Sequence, residues 1–581
     1  MKKALLLAVV ALTSGIAAAQ MKNPDTLVSV SSGDWGTGFD PVYCYDTACG
    51  NVLDNTVESL FGYNGNDPKE IVPRLAAELP TVENGGISED GLTYTIKLRP
   101  NLTFSDGSPV TAADVEYSFE RMMVYSTDVG PAGLLLEPLV GSAALVRPDG
   151  DTSFAQIDKS VETQGDDTVV FTLAKPFAPF LSELAGYYSS VYSKADAVSK
   201  SDWSGEESDW QNFNNTPEGS TEYATTGTLA TGPFTIERYD VGSTVVLQRN
   251  DNYWRDPAQL SRVILQSIPD DNTRVQLLST GDADMATRDI FPQSLLPTIE
   301  KIPGVTITQN AGLSLYGFFM THDIDGSATN YLGSGKLDGN GIPADFFSDI
   351  DVRKGFASAF DYKTFIADVM QGAAEQQNTV AIKGLIGYTE ESPKYVTDPE
   401  QAADHFRKAF GGQVWENGFT LPTFFNSGNT TRQQGLQILK QNIEQINPKF
   451  KIEVRELQFS QILTQAAAHQ LTLWMGGWGA DFADPHSFAQ PFLATNGNYP
   501  QNMRFSDPAL DKMIDDAVLE TDPDARAKLY QEIAQIGFDE VPEIAAYQPL
   551  QTFIQYDWVQ GRVTNPMLSS DYFYGMSKAT N

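Results

Sequence analysis

The chain has 581 residues, among them 39 lysines and arginines against 75 aspartates and glutamates, which gives a formal net charge of −36. So acidic a chain repels phosphate backbones and anionic lipid, and we expect neither nucleic acid nor an anionic membrane surface as a partner. The length exceeds what one hydrophobic core organises, so two or three domains are expected.

The N-terminus has the three parts of a secretory signal peptide: the basic stretch Met1 to Lys3, an apolar run from Ala4 to Ile16, and small residues up to Ala19. We expect cleavage after Ala19, which removes residues 1–19, and export to a periplasm. Loss of two lysines leaves 37 basic against 75 acidic residues, a net charge of −38. No cysteine follows the cleavage site, so no lipid anchor is expected.

Two cysteines occur, Cys44 and Cys49, and a close pair in an oxidising compartment usually forms a disulfide. Their spacing is not Cys-x-x-Cys, so no redox-active role is expected. The histidines are too scattered for a zinc site, and we expect neither a metal nor a cofactor. These histidines are His322, His405, His469 and His486.

Local patterns predict regular elements at both ends of the chain. They are strands at 26–31, 93–98 and 542–549, and helices that begin at Thr111 or span 510–518 and 525–536. Two polar stretches, 199–227 and 323–347, predict long loops. The acids of the second stretch lack the spacing of an EF-hand, so no calcium site is predicted there.

The run from Trp474 to Pro485 combines three glycines with two tryptophans and ends in two aspartates and a proline. Leu471 to Trp474 predicts a short strand that ends where the glycines begin. Glycine lets another backbone approach closely, and tryptophan offers a broad rigid face. The run predicts the lip of a cleft that takes an extended ligand with a positive end. The alternative is a strand-to-loop turn with core tryptophans.

A second glycine-rich stretch, Gly33 to Pro41, contains Trp35. Its glycines suit the same close approach of another backbone. Trp35 is either a wall of the cleft or a loop tryptophan folded onto the core.

The sequence contains no G-x-S-x-G elbow, no H-E-x-x-H helix and no phosphate-binding G-x-x-x-x-G-K-[ST] loop. Pairs of acids in so acidic a chain are nearly always part of a solvated surface. We therefore predict a binding protein rather than an enzyme.

Several motifs, in order along the chain, resemble those of the family 5 extracellular solute-binding proteins, the oligopeptide- and dipeptide-binding receptors of ABC importers and their relatives. The densest is Asp90 to Arg99 followed by Phe104 to Arg121. The other matching blocks are Thr231–Phe234 with Asn250–Trp254, Thr273–Asp284, Val352–Asp361, and Gly477–Asp481 with Asp484-Pro485.

This resemblance implies an α/β, two-lobed periplasmic-binding-protein fold, with an extra subdomain, mixed sheets flanked by helices, and a hinged central cleft. One lobe is built from separate stretches of chain. The expected division is lobe I at 20–60 and 196–300, its extra subdomain at 61–195, lobe II at 301–540, and a C-terminal segment of lobe I at 541–581.

The resemblance also implies a ligand site. Asp481 matches the aspartate that holds the ligand's α-ammonium in peptide-binding members, and the alternative role for it is a turn-capping residue. Dipeptide-selective members bind the ligand carboxylate through an arginine in the strand that matches 422–426, where this chain has no arginine and Asn426 stands nearest. Other candidate anion partners are Arg288, Lys383 and Arg432. The predicted ligand-binding residues are Asp481, Trp478, Gly479, Trp474, Phe482, Trp35 and Asn426.

We therefore predict an exported, monomeric receptor that delivers short peptides to the membrane subunits of an ABC importer, binding them between its lobes by hinge closure. One alternative is the same fold binding an oligosaccharide, a metal chelate or another small solute. A second alternative is a periplasmic chaperone or signalling receptor.

Overall fold

The computed structural model describes residues 20–31, 35, 38–128, 130–226, 229–287, 291–327 and 329–579. The predicted signal peptide, 1–19, lies outside this range. No helix in the described ranges is both long and apolar enough to cross a membrane.

Helices and short strands occur throughout the first half of the chain. Residues 20–193 form β1 (Thr26–Ser31), α1 (Thr47–Thr56), β2 (Glu58–Ser59), β3 (Phe61–Tyr63), β4 (Ile71–Pro73), β5 (Thr93–Lys97), α2 (Ala112–Tyr125), α3 (Ala132–Val140), α4 (Phe154–Ser160), β6 (Val161–Thr163), β7 (Thr168–Thr172), α5 (Phe180–Glu183) and β8 (Ser190–Val191). Residues 194–300 form α6 (Lys194–Ser199), α7 (Glu222–Thr226), β9 (Phe234–Asp240), β10 (Thr244–Arg249), β11 (Arg262–Ser267), α8 (Asp271–Thr280), β12 (Met285–Ala286) and α9 (Leu296–Ile299).

The second half of the chain has longer helices and the longest strand. Residues 301–470 form β13 (Val305–Ala311), β14 (Ser314–Met320), α10 (Ile350–Ala359), α11 (Tyr362–Thr364), β15 (Ala374–Gln376), α12 (Pro399–Lys408), α13 (Gln413–Asn417), β16 (Phe419–Asn426), α14 (Thr430–Ile446), β17 (Phe450–Leu457) and α15 (Phe459–Ala467). Residues 471–579 form β18 (Leu473–Gly479), α16 (His486–Leu493), α17 (Asn498–Met503), α18 (Pro508–Leu519), α19 (Pro523–Glu540), β19 (Glu543–Tyr556), β20 (Val559–Gln560) and β21 (Ser577–Lys578).

A large mixed sheet runs through the molecule in the order β17, β16, β18, β14, β19, β12, β1, β11, β10, β9. The 14-residue strand β19 lies in its middle. Its first part pairs with β14, where Tyr547 lies opposite Tyr316, and its last part pairs with β13, where Ile554 lies opposite Ile307. One continuous strand therefore joins the two halves of the sheet.

The halves have separate hydrophobic cores. The lobe I core surrounds β1 and β11 and includes Leu27, Val263 and Ile554. The lobe II core covers both faces of β14 and β18, with Phe318 and Ile544 on one side and with Phe319 and Trp474 on the other. A further core, the subdomain core, is built around α2 and β5–β7. Strand β19 thus contributes Ile544 to one lobe and Ile554 to the other.

The locally patterned elements are confirmed. Helix α2 begins with the predicted capping box, in which the Asp114 carboxylate accepts hydrogen bonds from the backbone N–H and the hydroxyl of Thr111. Helices α18 and α19 occupy the predicted C-terminal positions, and β19 is longer than the predicted strand. The stretch 199–227 is only partly a loop, because it contains α7 and a short 3₁₀ turn at Trp210–Asn212.

The prediction that a strand ends at the glycines of 476–479 is wrong, because β18 continues to Gly479 and pairs with β14 along its whole length. Aromatic rings across the sheet explain this. A Cβ on Gly477 would lie 2.2 Å from the Tyr316 ring, and one on Gly476 would lie 2.8 Å from the Phe319 ring. These two glycines therefore make room for core aromatic residues within a strand.

Candidate ligand-binding cleft

A cavity of about 660 Å³ lies between the lobe I and lobe II cores. Its volume is in the usual range for small-molecule sites. Both lobes, the subdomain and the C-terminal segment line it, with stretches at 45–48, 57–59, 61–63, 185–188, 477–481 and 566–570. All four regions therefore contribute to the wall of the cavity.

Asp481 lies on the wall of this cavity, just beyond the end of β18. Its backbone N–H donates to Ser487 Oγ at 2.9 Å, and its carbonyl accepts from Tyr188 Oη at 3.1 Å. Its carboxylate Oδ1 accepts a hydrogen bond from Tyr45 Oη at 2.7 Å. Lobe I, the subdomain and lobe II therefore all contact this one residue.

Burial raises the pKa of Asp481 to about 7, although the hydrogen bond from Tyr45 and the nearby indole N–H of Trp478 act in the opposite direction. The residue is half-buried. Within the described ranges no lysine, arginine or histidine forms an ion pair with it. A carboxylate that is partly desolvated and has no countercharge is ready to bind a cation.

Trp478 also lines the cavity and lies edge-on to Tyr499. Its indole N–H has no hydrogen bond of regular geometry to any described group, yet the ring is close enough to Asp481 to lower that carboxyl's pKa. Next along the strand, a Cβ on Gly479 would meet only Ser314 Oγ, at 3.8 Å. The end of β18 is thus open enough for close approach of another chain.

Trp35 lies both in a hydrophobic core and beside the cavity. It is 3% exposed and belongs to the lobe I core, and it also borders the cavity. Residues 32–34, 36 and 37 of its glycine-rich loop lie outside the described ranges.

Three of the predicted residues do not border the cavity. Trp474 is stacked on Phe319 in the lobe II core, and Phe482 packs edge-on against Phe177 of the subdomain. Asn426 ends β16 and accepts a hydrogen bond from Arg432 at 2.7 Å. Trp474 and Trp478 share a face of β18, but four residues of strand separate them by about 13 Å, so only the second reaches the cavity.

The structure does not place the candidate anion partners at the cavity either. Arg288 lies outside the described ranges. Lys383 forms an ion pair with Glu375 at 3.0 Å, Arg432 contacts Asn426, and neither of them borders the cavity. Among the described residues, the cation that borders the cavity is Arg74, which follows β4 and which sequence reasoning missed.

The two cysteines are joined by a disulfide, with their Cα atoms 5.8 Å apart. The bridge encloses Tyr45 and ends in α1, whose first turn is capped by the Asp46 carboxylate. A short covalent loop and a capped helix therefore fix the position of the phenol that contacts Asp481.

The block Asn250–Trp254 has a structural role beside the cavity. Glu58, which lines the cavity, accepts hydrogen bonds from Tyr253 Oη and Trp254 Nε1, both at 2.5 Å, and forms an ion pair with Arg255 at 2.8 Å. This motif therefore holds a buried carboxylate in place, and Arg255, the residue that follows it, neutralises the charge.

The subdomain also packs directly on lobe II. The Phe177 ring contacts both Phe482 and His486. The backbone N–H of Ala178 donates to Val518 O at 3.1 Å, and His486 Nε2 lies 3.6 Å from Glu137 Oε1.

No group of three or more potential metal ligands occurs in the part of the chain that the structure describes.

Residues 70–500 match the family model of bacterial extracellular solute-binding proteins, family 5 Middle. This match covers most of the chain, so the chain belongs to the family 5 bacterial extracellular solute-binding proteins. The family resemblance seen in the sequence motifs is thereby confirmed.

Two curated relatives match nearly end to end. The chain is 25% identical over 551 residues to heme-binding protein A of Haemophilus influenzae, which covers 93% of this chain and 90% of that protein. It is 23% identical over 540 residues to the oligopeptide-binding protein OppA of Bacillus subtilis, with 92% and 89% covered.

Solved structures share the fold. The murein tripeptide binding protein MppA of Escherichia coli has a TM-score of 0.74 at 19% identity, with 97% of this chain and 100% of that chain covered. The periplasmic binding protein DppA of Helicobacter pylori, in complex with the peptide STSA, has a TM-score of 0.70 at 23% identity, with 96% and 98% covered. The predicted α/β, two-lobed fold is therefore confirmed.

Proposed function

We propose that this chain is an exported receptor that binds short peptides in the cavity between its lobes and delivers them to the membrane subunits of an ABC importer. One observation carries the proposal: the half-buried carboxylate of Asp481 lies on the cavity wall and pairs with no cation of the described residues. Relatives named as oligopeptide- and dipeptide-binding proteins support it.

In this proposal the α-ammonium of the peptide binds Asp481. The cation replaces lost solvent around the carboxylate, so the pKa of Asp481 falls when the ligand binds. Tyr45 and Tyr188 hold the residue in place from the other side of the cleft. The ligand therefore bridges the lobes and favours their closed arrangement, since it contacts both.

The peptide backbone is proposed to lie along the end of β18. Within the described ranges β16 pairs with β18 only at Leu473 and Trp474, while β14 pairs with it up to Gly479. The second edge of β18 is thus available near the cavity, where Gly479 leaves space. Main-chain pairing of this kind gives affinity without reading side chains.

The first experiment is native mass spectrometry of the purified protein, followed by denaturation and analysis of any released molecules. A ladder of peptide masses would support the proposal and give the range of lengths. A single non-peptide mass would contradict the peptide assignment and leave the receptor class intact. The matched control is Asp481→Asn, which should release no peptides with a free N-terminus.

The same spectrum tests export. We propose that residues 1–19 are removed during secretion, so the intact mass of the exported protein should correspond to a chain that begins at Gln20. A mass that includes Met1, in protein recovered from outside the cytoplasm, would contradict this. The monomeric state is read from the same native spectrum.

A further inference from the structure

The charged side chains that line the cavity are Asp46, Asp54, Glu58, Asp481 and Arg74. Three of them already have specific partners. Asp46 accepts from the backbone N–H groups of the first turn of α1, and Asp54 accepts from Ser569 N at 3.0 Å. Glu58 is paired with Arg255.

Asp481 and Arg74 are the exceptions. Neither forms an ion pair with a residue in the described ranges, and both border the same cavity. The cavity wall thus carries one acid and one base that do not neutralise each other.

Among the described residues, the groups that hold Arg74 in place are neutral. Nη1 donates to Tyr572 Oη at 3.2 Å, and Nη2 donates to Tyr63 O at 3.1 Å. The guanidinium lies over the Tyr572 ring, 5.0 Å from its centroid. A guanidinium has five N–H donors, so donors remain for a further acceptor.

Gly62 makes room for this arrangement. A Cβ on Gly62 would lie 2.7 Å from Arg74 Nε, and Gly62 itself lines the cavity. The absence of a side chain at Gly62 therefore lets the Arg74 side chain pass close to β3. The guanidinium is a rigid planar group whose donors match the geometry of a carboxylate.

A second guanidinium reinforces the positive charge. Tyr572 Oη also accepts from Arg255 Nη2 at 3.2 Å, so one phenol contacts both arginines. Glu58 neutralises only one of them. Within the described residues Glu58 pairs with Arg255 and not with Arg74, so no direct ion pair compensates the charge of Arg74.

We propose that Arg74 binds a carboxylate of the ligand, so that the cavity selects zwitterionic ligands: short peptides with both termini free. This inference rests on the proposed function. The guanidinium is the group that best matches a planar carboxylate, through two parallel hydrogen bonds. Arg74 thus takes the carboxylate-binding role for which the sequence suggested other residues.

The test is isothermal titration calorimetry with tri-alanine and tetra-alanine, each as the free acid and as the C-terminal amide. The proteins are the wild type, Arg74→Gln and Arg74→Lys. The wild type should bind the acids about 30-fold or more tightly than the amides, the scale expected when one partner of an enclosed charge pair is lost. Arg74→Gln should lose this preference, and Arg74→Lys should keep part of it.

Arg238→Gln is the matched control, because Arg238 lies on the exposed strand β9 and pairs with Asp240. It should leave every affinity unchanged. If Arg74→Gln keeps the wild-type preference for acids, the role of Arg74 is overturned while peptide binding stands. If the wild type binds neither acid nor amide, the proposed function is overturned together with this inference. Arg74→Lys retains the charge, so it serves as the test if the Gln variant does not fold. A preference for acids that is unchanged from the wild type in this variant would then contradict bidentate binding by Arg74.

Discussion

One group of charged residues in the protein interior forms ion pairs, whereas two charged residues of the cleft form none within the described ranges. In the interior, Arg121 donates to both oxygens of Asp40 at 2.7 Å and to both oxygens of Asp202 at 2.8 Å, and these side chains are at most 1% exposed. In the cleft, Asp481 and Arg74 are half-buried and form no ion pair with any described residue. Satisfied charges hold the fold together, whereas unsatisfied ones in a cavity are available to a ligand.

Removing the charge of Arg121 in the interior should have the largest effect on stability. Arg121→Met leaves two buried carboxylates without a countercharge, so we expect a loss of about 3–5 kcal/mol of unfolding free energy. Thermal and urea unfolding measure it. The control is Arg238→Met, whose exposed pair should change stability by no more than about 0.5 kcal/mol. Equal stability of the two variants would contradict a structural role for Arg121.

The opposite pattern is expected at Asp481. Asp481→Asn removes a carboxylate that the fold does not need, so the melting temperature of the free protein should stay the same or rise. Affinity for tri-alanine should fall by about 2–5 kcal/mol, because the ammonium loses its countercharge. Calorimetry with N-acetylated tri-alanine is the control, and its affinity should not respond to the substitution. Unchanged affinity for the free peptide would remove Asp481 from the site.

Substitution of two glycines of β18 should separate an effect on stability from an effect on ligand binding. Gly477→Ala drives a Cβ into the Tyr316 ring, so we expect a loss of about 1–3 kcal/mol of stability. Gly479→Ala meets open space and should be nearly neutral for stability, yet it should weaken peptide binding by occupying the backbone's approach. Unfolding curves and titrations of both variants separate the two effects. Equal destabilisation by both would contradict the close packing of Gly477 against Tyr316.

The smallest effect is a pH dependence of binding. The pKa of Asp481 is about 7 in the free protein, so below pH 7 the carboxyl must lose a proton before an ammonium can pair with it. Affinity for tri-alanine should therefore rise about tenfold per pH unit between pH 5 and pH 6 and level off near pH 7. Calorimetry in a pH series measures this.

Asp481→Asn is again the control, and its affinity should be flat over the same range. Stability should vary in the opposite sense. Because the pKa of Asp481 is higher in the folded than in the unfolded protein, the carboxyl lowers the stability of the free protein as pH rises from about 4 to about 7. An identical pH profile for the wild type and the variant would assign the titration to another group.

Much of the scaffold could be predicted because its signals are local. The capping box at Thr111 and the apolar spacing of α18 depend on a few neighbouring residues. The extent of β18 could not be predicted in this way, since it depends on the aromatic rings of β14. The different burial of Trp474 and Trp478 could not be predicted either, because both lie on the same face of one strand and only the surrounding packing distinguishes them.

The site was predicted unevenly for the same reason. Asp481, Trp478 and Gly479 lie on one continuous motif, so the sequence brings them together. Arg74 contacts Tyr572, which is 498 positions away along the chain. Nothing near Arg74 in sequence indicates this contact, and only the packing of the β3–β4 hairpin against the C-terminal segment creates it.

The position of β19 has a consequence for the order in which the protein can fold. Residues Ile544 and Tyr547 belong to the lobe II core, while Ile554, Phe573 and Met576 belong to the lobe I core. Neither lobe can complete its core until residues 543–576 have been synthesised. For the exported receptor proposed above, this order places the completion of both cores after residues 543–576 have crossed the membrane.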